Sequence, residues 1–154
     1  MKLYLMQHAD AYSAEQDPER ALSPTGVEQA KQAGQACKKL ALQFDLLISS
    51  PKRRARQTAA LIAEAIRYPY SDILTTNAVL PDRPAEEFLD VMGKEPSDSH
   101  ILVVSHLPFL DNLARHLMQG GELIFENAGL TGLEMSGPAT ARLECHLQRR
   151  HLVG

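Results

Sequence analysis

The sequence predicts an α/β fold, a three-layer αβα sandwich with a mostly parallel central sheet. Two short apolar runs, residues 2–7 and 101–105, are typical of strands that are buried on both faces of a parallel sheet. Stretches with helical periodicity separate the predicted strands, and this alternation favours helices on both faces of the sheet. A length of 154 residues favours a single domain over residues 1–154.

The composition favours a globular protein and narrows its partners. Hydrophobic residues make up 44% of the chain, which is too many for a disordered protein. The net charge of -3, from 16 basic and 19 acidic residues, argues against a nucleic-acid partner. Cys37 and Cys145 form no CxxC pair, so a reducing, cytoplasmic location is the simplest expectation. No apolar stretch is long enough for a membrane span or a signal peptide, so we expect no membrane partner.

The first strand is followed by a long polar connection over residues 10–23. Connections of this length in compact domains are often functional. Thr25 and Glu28 match a capping box, which predicts a helix over residues 26–43.

A second strand–helix unit follows. The predicted strand at residues 46–48 leads into Ser50 and Pro51, which fit the N-cap and the first position of a helix. That helix is expected to end near residue 66, and residues 73–76 form a short possible strand.

The second half of the chain continues the alternation and then changes to a hairpin. A loop and a short helix are predicted over residues 82–93, and a further helix over residues 108–118 ends at Gly120-Gly121. Residues 130–135 and 141–147 are predicted to form an antiparallel hairpin at or near one edge of the sheet.

Two histidines directly follow buried strands. His8 comes after the strand at residues 2–7, and His106 comes after the strand at residues 101–105. Ligand sites of parallel sheets lie at the carboxyl ends of strands, so we expect the two imidazoles to share a pocket. A neutral imidazole is a good nucleophile near pH 7. A lone histidine is more often a surface or packing residue, which is our interpretation of the other four: His100, His116, His146 and His151.

A cationic stretch begins the second predicted helix, where the helix dipole favours anions instead. It comprises Lys52, Arg53, Arg54 and Arg56. Backbone N–H groups and arginines together form an anion cradle, so we predict a phosphate pocket in which one histidine attacks. We expect two or three of these four cations to belong to a solvated basic face instead. A nucleic-acid patch is disfavoured because no aromatic residues are interleaved.

A metal hydrolase is a weaker alternative. His8, Asp10 and His106 can supply metal ligands, but a spacing such as HExxH is absent. The cations around Arg54 also oppose a divalent ion. We therefore expect neither a metal nor another cofactor.

Four segments resemble, in the same order, those of the SixA-type phosphohistidine phosphatases, a branch of the histidine phosphatase (phosphoglycerate mutase-like) superfamily. Gln7-His8-Ala9 aligns with the family's Arg-His-Gly strand end. Residues 20–26 resemble its Arg-x-Leu-Thr-x-x-Gly segment, and residues 50–58 resemble Ser-Pro-x-x-Arg-Ala-x-Gln-Thr. Residues 103–108 resemble its Val-x-Ser-His-x-Pro strand end.

The resemblance implies a phosphatase that acts through a covalent phosphohistidine. His8 would be the nucleophile, Arg54 would bind phosphate oxygens, and His106 would stabilise the transferring group. The phosphate-binding set would be completed by Gln7. The implied partner is a phosphorylated protein carrying phosphohistidine, such as a signalling protein, or a small phosphate ester. Three cations do not fall on the family's arginine position and are left out of the site: Lys52, Arg53 and Arg56.

The chain departs from the family on both sides of His8. Gln7 replaces an arginine that grips phosphate through charge-assisted bonds, and loss of one such donor costs ~10²–10³ in rate. Ala9 replaces a glycine and adds a methyl group where the backbone would approach phosphate. We expect weakened catalysis unless another cation reaches in, and Arg20 is the candidate.

Two functions stay open: a working but slow or specialised phosphatase, and a catalytically degenerate module that binds phosphate or a phosphoprotein. Retention of His8, Arg54 and His106 favours the first, because a pure binder needs no nucleophile. A phosphohistidine substrate relaxes the need for a general acid, since imidazole leaves more readily than an alkoxide. The identity of the general acid stays open: it is one of the carboxylates Asp82, Glu86 and Glu87, or the reaction uses none.

Overall fold

A computed structural model describes residues 1–152; Val153 and Gly154, the last two residues of the predicted domain, lie outside the described residues. The elements of the described part follow in chain order: β1 (Lys2–Gln7), α1 (Pro24–Lys39), β2 (Leu46–Ser49), α2 (Arg53–Ile66), β3 (Leu74–Thr75), α3 (Ala85–Met92), β4 (His100–Ser105), α4 (Phe109–Met118), β5 (Leu130–Gly137), β6 (Thr140–Leu147) and α5 (Arg149–Leu152).

Within residues 1–152 the strands form one six-stranded sheet with the order β3-β2-β4-β1-β5-β6. The first four strands along the chain are parallel to one another, whereas β5 is antiparallel to β1 and β6 is antiparallel to β5. The predicted mostly parallel sheet with an antiparallel hairpin at one edge is therefore confirmed. The first strand lies inside the sheet, between β4 and β5.

Helices cover both faces of the sheet, as predicted. Successive residues of a strand point to opposite faces. Leu3 and Leu5 of β1 therefore enter the core formed with α3 and α4. Tyr4 and Met6 enter the other core, formed with α1 and α2. The near-continuous apolar run of β1 thus reflects burial on both faces.

The first helix begins earlier than the capping-box pattern predicted. Ser23, rather than Thr25, is the N-cap, and its Oγ accepts a hydrogen bond from the N–H of Gly26 at 3.0 Å. Pro24 takes the first helical position, for which its fixed φ is suited. The helix also ends at Lys39 rather than near residue 43, because the backbone turns into the left-handed region at Ala41 (φ 55).

The second helix begins later than predicted, at Arg53. Lys52 is the N-cap and makes no side-chain capping bond. The Ser50 hydroxyl instead accepts the N–H of Lys52 at 3.1 Å, so it closes the turn before the helix. The predicted end near residue 66 is confirmed, with Arg67 in the left-handed conformation (φ 60).

The remaining elements match the expected types. The short strand β3 covers only the middle of the predicted segment. The fourth helix ends at Met118, before Gln119 takes a left-handed conformation, and the hairpin strands extend beyond their predicted ends. No helix among residues 1–152 has the length and apolar character needed to cross a bilayer.

Candidate active site

Strand pairing brings the two strand-end histidines together. The final aligned pair of β1 and β4 is Gln7 with Ser105, so His8 and His106 follow at neighbouring positions. The N–H of His8 donates to the carbonyl of Ser105 at 2.9 Å. The two ring centroids are 5.1 Å apart, and both residues are buried. The two imidazoles thus lie side by side at this end of the sheet.

The ring of His8 is fixed in one tautomer. Its Nδ1 lies 2.7 Å from the carbonyl oxygen of Ala9. A carbonyl oxygen only accepts hydrogen bonds, so Nδ1 carries the hydrogen and Nε2 carries a lone pair. Burial lowers the pKa of His8 to about 4, and the charges of Arg54 and Arg20 add to that effect. At neutral pH the ring is therefore uncharged, with a lone pair available on Nε2.

The ring of His106 has the complementary arrangement. Its Nε2 lies 2.7 Å from Oγ of Ser50. That oxygen already accepts the N–H of Lys52, so its own hydrogen is available to donate to Nε2. When the hydroxyl donates in this way, the ring hydrogen stands on Nδ1, which is buried and has no partner. Burial, followed by the neighbouring His8, lowers the pKa of His106 to about 3. The uncharged ring can thus donate from Nδ1 to a ligand oxygen.

Arg54 stands in the first turn of α2, half-buried, and its charge lowers the pKa values of both His8 and His106. Its Nε is buried without a hydrogen-bond partner, and it forms no ion pair with the described residues. Burial lowers its pKa, and the charge of Arg20 lowers it further. Two cations therefore act on the same space as the two uncharged imidazoles. An oxyanion is the ligand type that such a set binds.

The two departures beside His8 have different structural consequences. Gln7 is half-buried, and its Oε1 is buried with no partner. Ala9 is fully buried in the core that α1 and α2 cover. The expectation that its methyl group lies where the backbone approaches phosphate is wrong, because the group packs in that core. Gln7 is then the departure that changes the pocket.

Four neighbouring cations border an open cleft of about 510 Å³ beside Arg54. Three of them are the exposed cations left out of the site: Lys52, Arg53 and Arg56. Arg53 pairs with Glu19, and Nε of Arg56 donates to the carbonyl of Pro51. The charge of Lys52 nevertheless lowers the pKa of His106. The fourth cation, Arg20, comes from the long connection after β1.

Sequence reasoning missed residues that hold the segment around His8. Oγ1 of Thr58 accepts the N–H of Ala9 at 3.0 Å and donates to the carbonyl of Arg54 at 2.8 Å. Nδ2 of Asn127 donates to the carbonyl of His8 at 2.8 Å. Thr58 stands in the segment that resembles the family, which was a usable signal. Asn127 lies in a stretch without any motif, so the sequence carried no signal for it.

The candidate acids are exposed and make no hydrogen bond or ion pair with His8, His106 or Arg54; these carboxylates are Asp82, Glu86 and Glu87. Glu87 pairs with Arg83. The carboxylate that acts electrostatically on His8 is Asp10, whose charge raises its pKa against the larger effect of burial. Within the described part of the chain, no group of three or more His, Cys, Asp and Glu residues is arranged to hold a metal ion.

Comparisons with known proteins agree with this geometry. The model of the histidine phosphatase superfamily (branch 1) matches residues 3–74. An uncharacterised protein of Picosynechococcus sp. is 29% identical over 154 residues, covering 95% of this chain and 90% of that protein. Phosphohistidine phosphatase SixA of Escherichia coli (strain K12) is 27% identical over 128 residues, covering 78% of this chain and 76% of that protein.

The fold agrees as well. The solved structure of the protein histidine phosphatase SixA complexed with tungstate superposes with a TM-score of 0.89 at 19% identity, covering 99% of both chains. Sequence family, fold and strand-end histidines thus coincide. Residues 3–74 thus match the histidine phosphatase superfamily, and SixA relatives in sequence and in structure support a phosphatase hydrolase of the SixA type.

Proposed function

We propose that this chain removes the phosphoryl group from phosphohistidine on a signalling protein, through a covalent intermediate on His8. The observation that carries the proposal is the 2.7 Å hydrogen bond from Nδ1 of His8 to the carbonyl of Ala9. It leaves the lone pair on Nε2, at a strand end where cations and a second imidazole converge. A buried nucleophile that is uncharged at neutral pH needs no base to activate it.

The proposed reaction has two steps. Nε2 of His8 attacks phosphorus, the bond between phosphorus and the substrate imidazole breaks, and that imidazole takes up a proton from solvent. Water then attacks the phosphorylated His8, the bond from phosphorus to Nε2 breaks, and inorganic phosphate leaves. Arg54 neutralises phosphate oxygens, Nδ1–H of His106 donates to the transferring group, and the Gln7 amide supplies a neutral donor.

Two features favour phosphohistidine over an ester. Neither His8 nor His106 has an acidic partner that would protonate an alkoxide, and an imidazole leaving group needs less help. The cleft beside Arg54 is open and bordered by exposed cations, which suits the surface of a protein substrate. The chain is proposed to act as one domain, residues 1–154, in the cytoplasm, where its two free cysteines stay reduced.

Trapping the intermediate tests this proposal. We expect rapid quenching of the reaction with a ³²P-labelled phosphohistidine protein to show acid-labile label on His8. Inorganic phosphate should be released without added metal. His8→Asn should abolish both, whereas His116→Asn, a substitution of an exposed helix histidine, should change neither. Turnover that persists in His8→Asn would overturn the role of His8.

The alternative is a degenerate module that binds a phosphorylated partner without turnover. The neutral Gln7 favours it, because the pocket has one cation fewer than the family pattern. Such a module would bind tungstate or the phosphoprotein and yield no labelled His8. An aryl phosphate assayed in parallel separates preference for phosphohistidine from general phosphatase activity.

A further inference from the structure

We propose that Arg20 is a phosphate-binding residue of this chain and supplies the positive charge that is absent at position 7. This inference rests on the proposed phosphatase function. Arg20 belongs to the long connection after β1, whereas the other proposed site residues come from strand ends and from the start of a helix.

The end of that connection is held firmly. The N–H of Tyr12 donates to the carbonyl of Ala21 at 2.9 Å, and Ala11 forms a bridge with Leu22. The N–H of Leu22 donates to Oε1 of Gln57 on α2 at 2.7 Å. The two limbs of the connection are therefore tied to each other and to the helix that carries Arg54. A side chain at position 20 projects from a fixed point.

The backbone and the side chain of Arg20 are both constrained. Its φ is 50, a left-handed conformation that a non-glycine residue adopts at a cost. Nε donates to the carbonyl of Tyr12 at 3.1 Å, and the residue is half-buried. No carboxylate of the described residues pairs with it. The Nε contact orients the guanidinium while its terminal nitrogens keep their donors for a ligand.

The charge of Arg20 acts on the pocket. Arg20 and Arg54 line the same cleft, and neither has an ion-pair partner within residues 1–152. The charge of Arg20 lowers the pKa of Arg54, and it also lowers the pKa values of both imidazoles. Arg53 borders the same cleft but is neutralised by Glu19. Two unneutralised guanidiniums that repel each other are both stabilised when an oxyanion lies between them.

Position 7 explains why a second cation is needed. Gln7 is uncharged, so without Arg20 the phosphoryl group, which carries two negative charges, would meet Arg54 as its sole guanidinium. With Arg20 the pocket has two guanidiniums, one delivered from the loop and one from α2. We therefore expect an arginine at position 7 to replace the function of an arginine at position 20.

A set of variants tests the exchange. We expect Arg20→Gln to lower kcat/KM by about 10²–10³, the usual cost of one transition-state donor. The same change should weaken tungstate binding, measured by calorimetry, by about ten- to a hundred-fold. Arg20→Lys should keep part of both, because it retains the charge without the planar fork. Arg56→Gln, at an exposed arginine of the same cleft, should leave both near the parent values.

The decisive variant is the pair Gln7→Arg with Arg20→Gln. Gln7→Arg should raise kcat/KM much more in the Arg20→Gln background than in the parent, because either arginine can serve the phosphoryl group. The inference would be overturned if Gln7→Arg raised kcat/KM equally in both backgrounds. It would also be overturned if Arg20→Gln left both the tungstate affinity and the melting temperature unchanged. Tungstate binding is read without turnover, so failure of the proposed phosphatase function shows separately, as turnover that does not depend on His8.

Discussion

Oγ of Ser50 lies 2.7 Å from Nε2 of His106, across 56 positions of sequence. Ser50 also accepts the N–H of Lys52, and its hydroxyl hydrogen is available to donate to the imidazole. In that arrangement the serine holds His106 in the tautomer that presents Nδ1–H to the pocket. Without the hydroxyl, neither ring nitrogen would have a protein partner to decide where the hydrogen resides.

Ser50→Ala is predicted to lower kcat by about 10², close to the cost of losing one donor to the transferring group. The fold should survive, because alanine fits the space of serine. Tungstate affinity should fall much less than kcat if His106 acts mainly in the transition state. Ser99→Ala, at a buried serine just before β4 and at its opposite end from the site, is the matched control and should leave kcat unchanged. A Ser50→Ala enzyme with parental kcat would contradict this role.

The buried histidines predict how stability depends on pH. The pKa of His8 is lowered to about 4 and that of His106 to about 3, from an ordinary value of 6.5, in both cases chiefly by burial. The unfolded chain therefore binds protons more tightly than the folded protein. Their contribution to stability is complete above pH 6.5 and is lost as the pH falls from 6.5 towards 4 and then 3.

Urea unfolding at several pH values measures this effect. Lowering the pH from 6.5 to 5.5 should reduce the free energy of unfolding by roughly 1 kcal/mol per histidine. His106→Asn should flatten the slope, whereas His116→Asn should not. Over the same interval kcat/KM should stay nearly constant, because His8 is already uncharged in the folded enzyme. An acid limb centred near pH 6.5 in kcat/KM would show that burial does not control the pKa of His8.

The elements were predictable where a local pattern decided them. Apolar runs identified β1 and β4, and the rule that parallel strands end at the same edge placed His8 beside His106. Helix starts were not predictable to the residue. Ser50 matched an N-cap by type, but its hydroxyl is engaged by His106, a tertiary contact that no local rule contains. Thr25 matched a capping box, but Pro24 fixed the helix start earlier.

The supporting contacts of the site were less accessible to sequence reasoning. Asn127 bonds to the backbone of His8 across 119 positions, from a loop without a recognisable motif. Ala9 was expected to face phosphate, whereas its methyl group packs in the core that α1 and α2 cover. Arg20 could be suggested from the missing charge at position 7. Its orientation depends on the folded connection and could not be derived from its neighbours in sequence.

Gly26 is the residue that lets this connection lie against α1. A Cβ at this position would lie 1.8 Å from the carbonyl oxygen of Asp10, which is backbone and cannot rotate away. Asp10 in turn accepts the N–H of Ser23 through the same carbonyl at 3.0 Å, and its carboxylate accepts the Ser23 hydroxyl at 2.5 Å. Gly26→Ala must therefore displace the segment that joins His8 to Arg20.

We expect Gly26→Ala to destabilise the protein by about 1–3 kcal/mol, as overpacking does, and to lower kcat/KM further than the stability loss explains. Gly93→Ala is the matched control, because its Cβ would lie 3.2 Å from the nearest atom outside its chain neighbours, at the end of α3. Its cost should be small and its activity parental. Thermal unfolding and kcat/KM at a temperature where both variants are fully folded measure the two effects separately. Parental activity in folded Gly26→Ala would show that the connection can move without disturbing the pocket. It would contradict a functional role for the packing of the connection on α1.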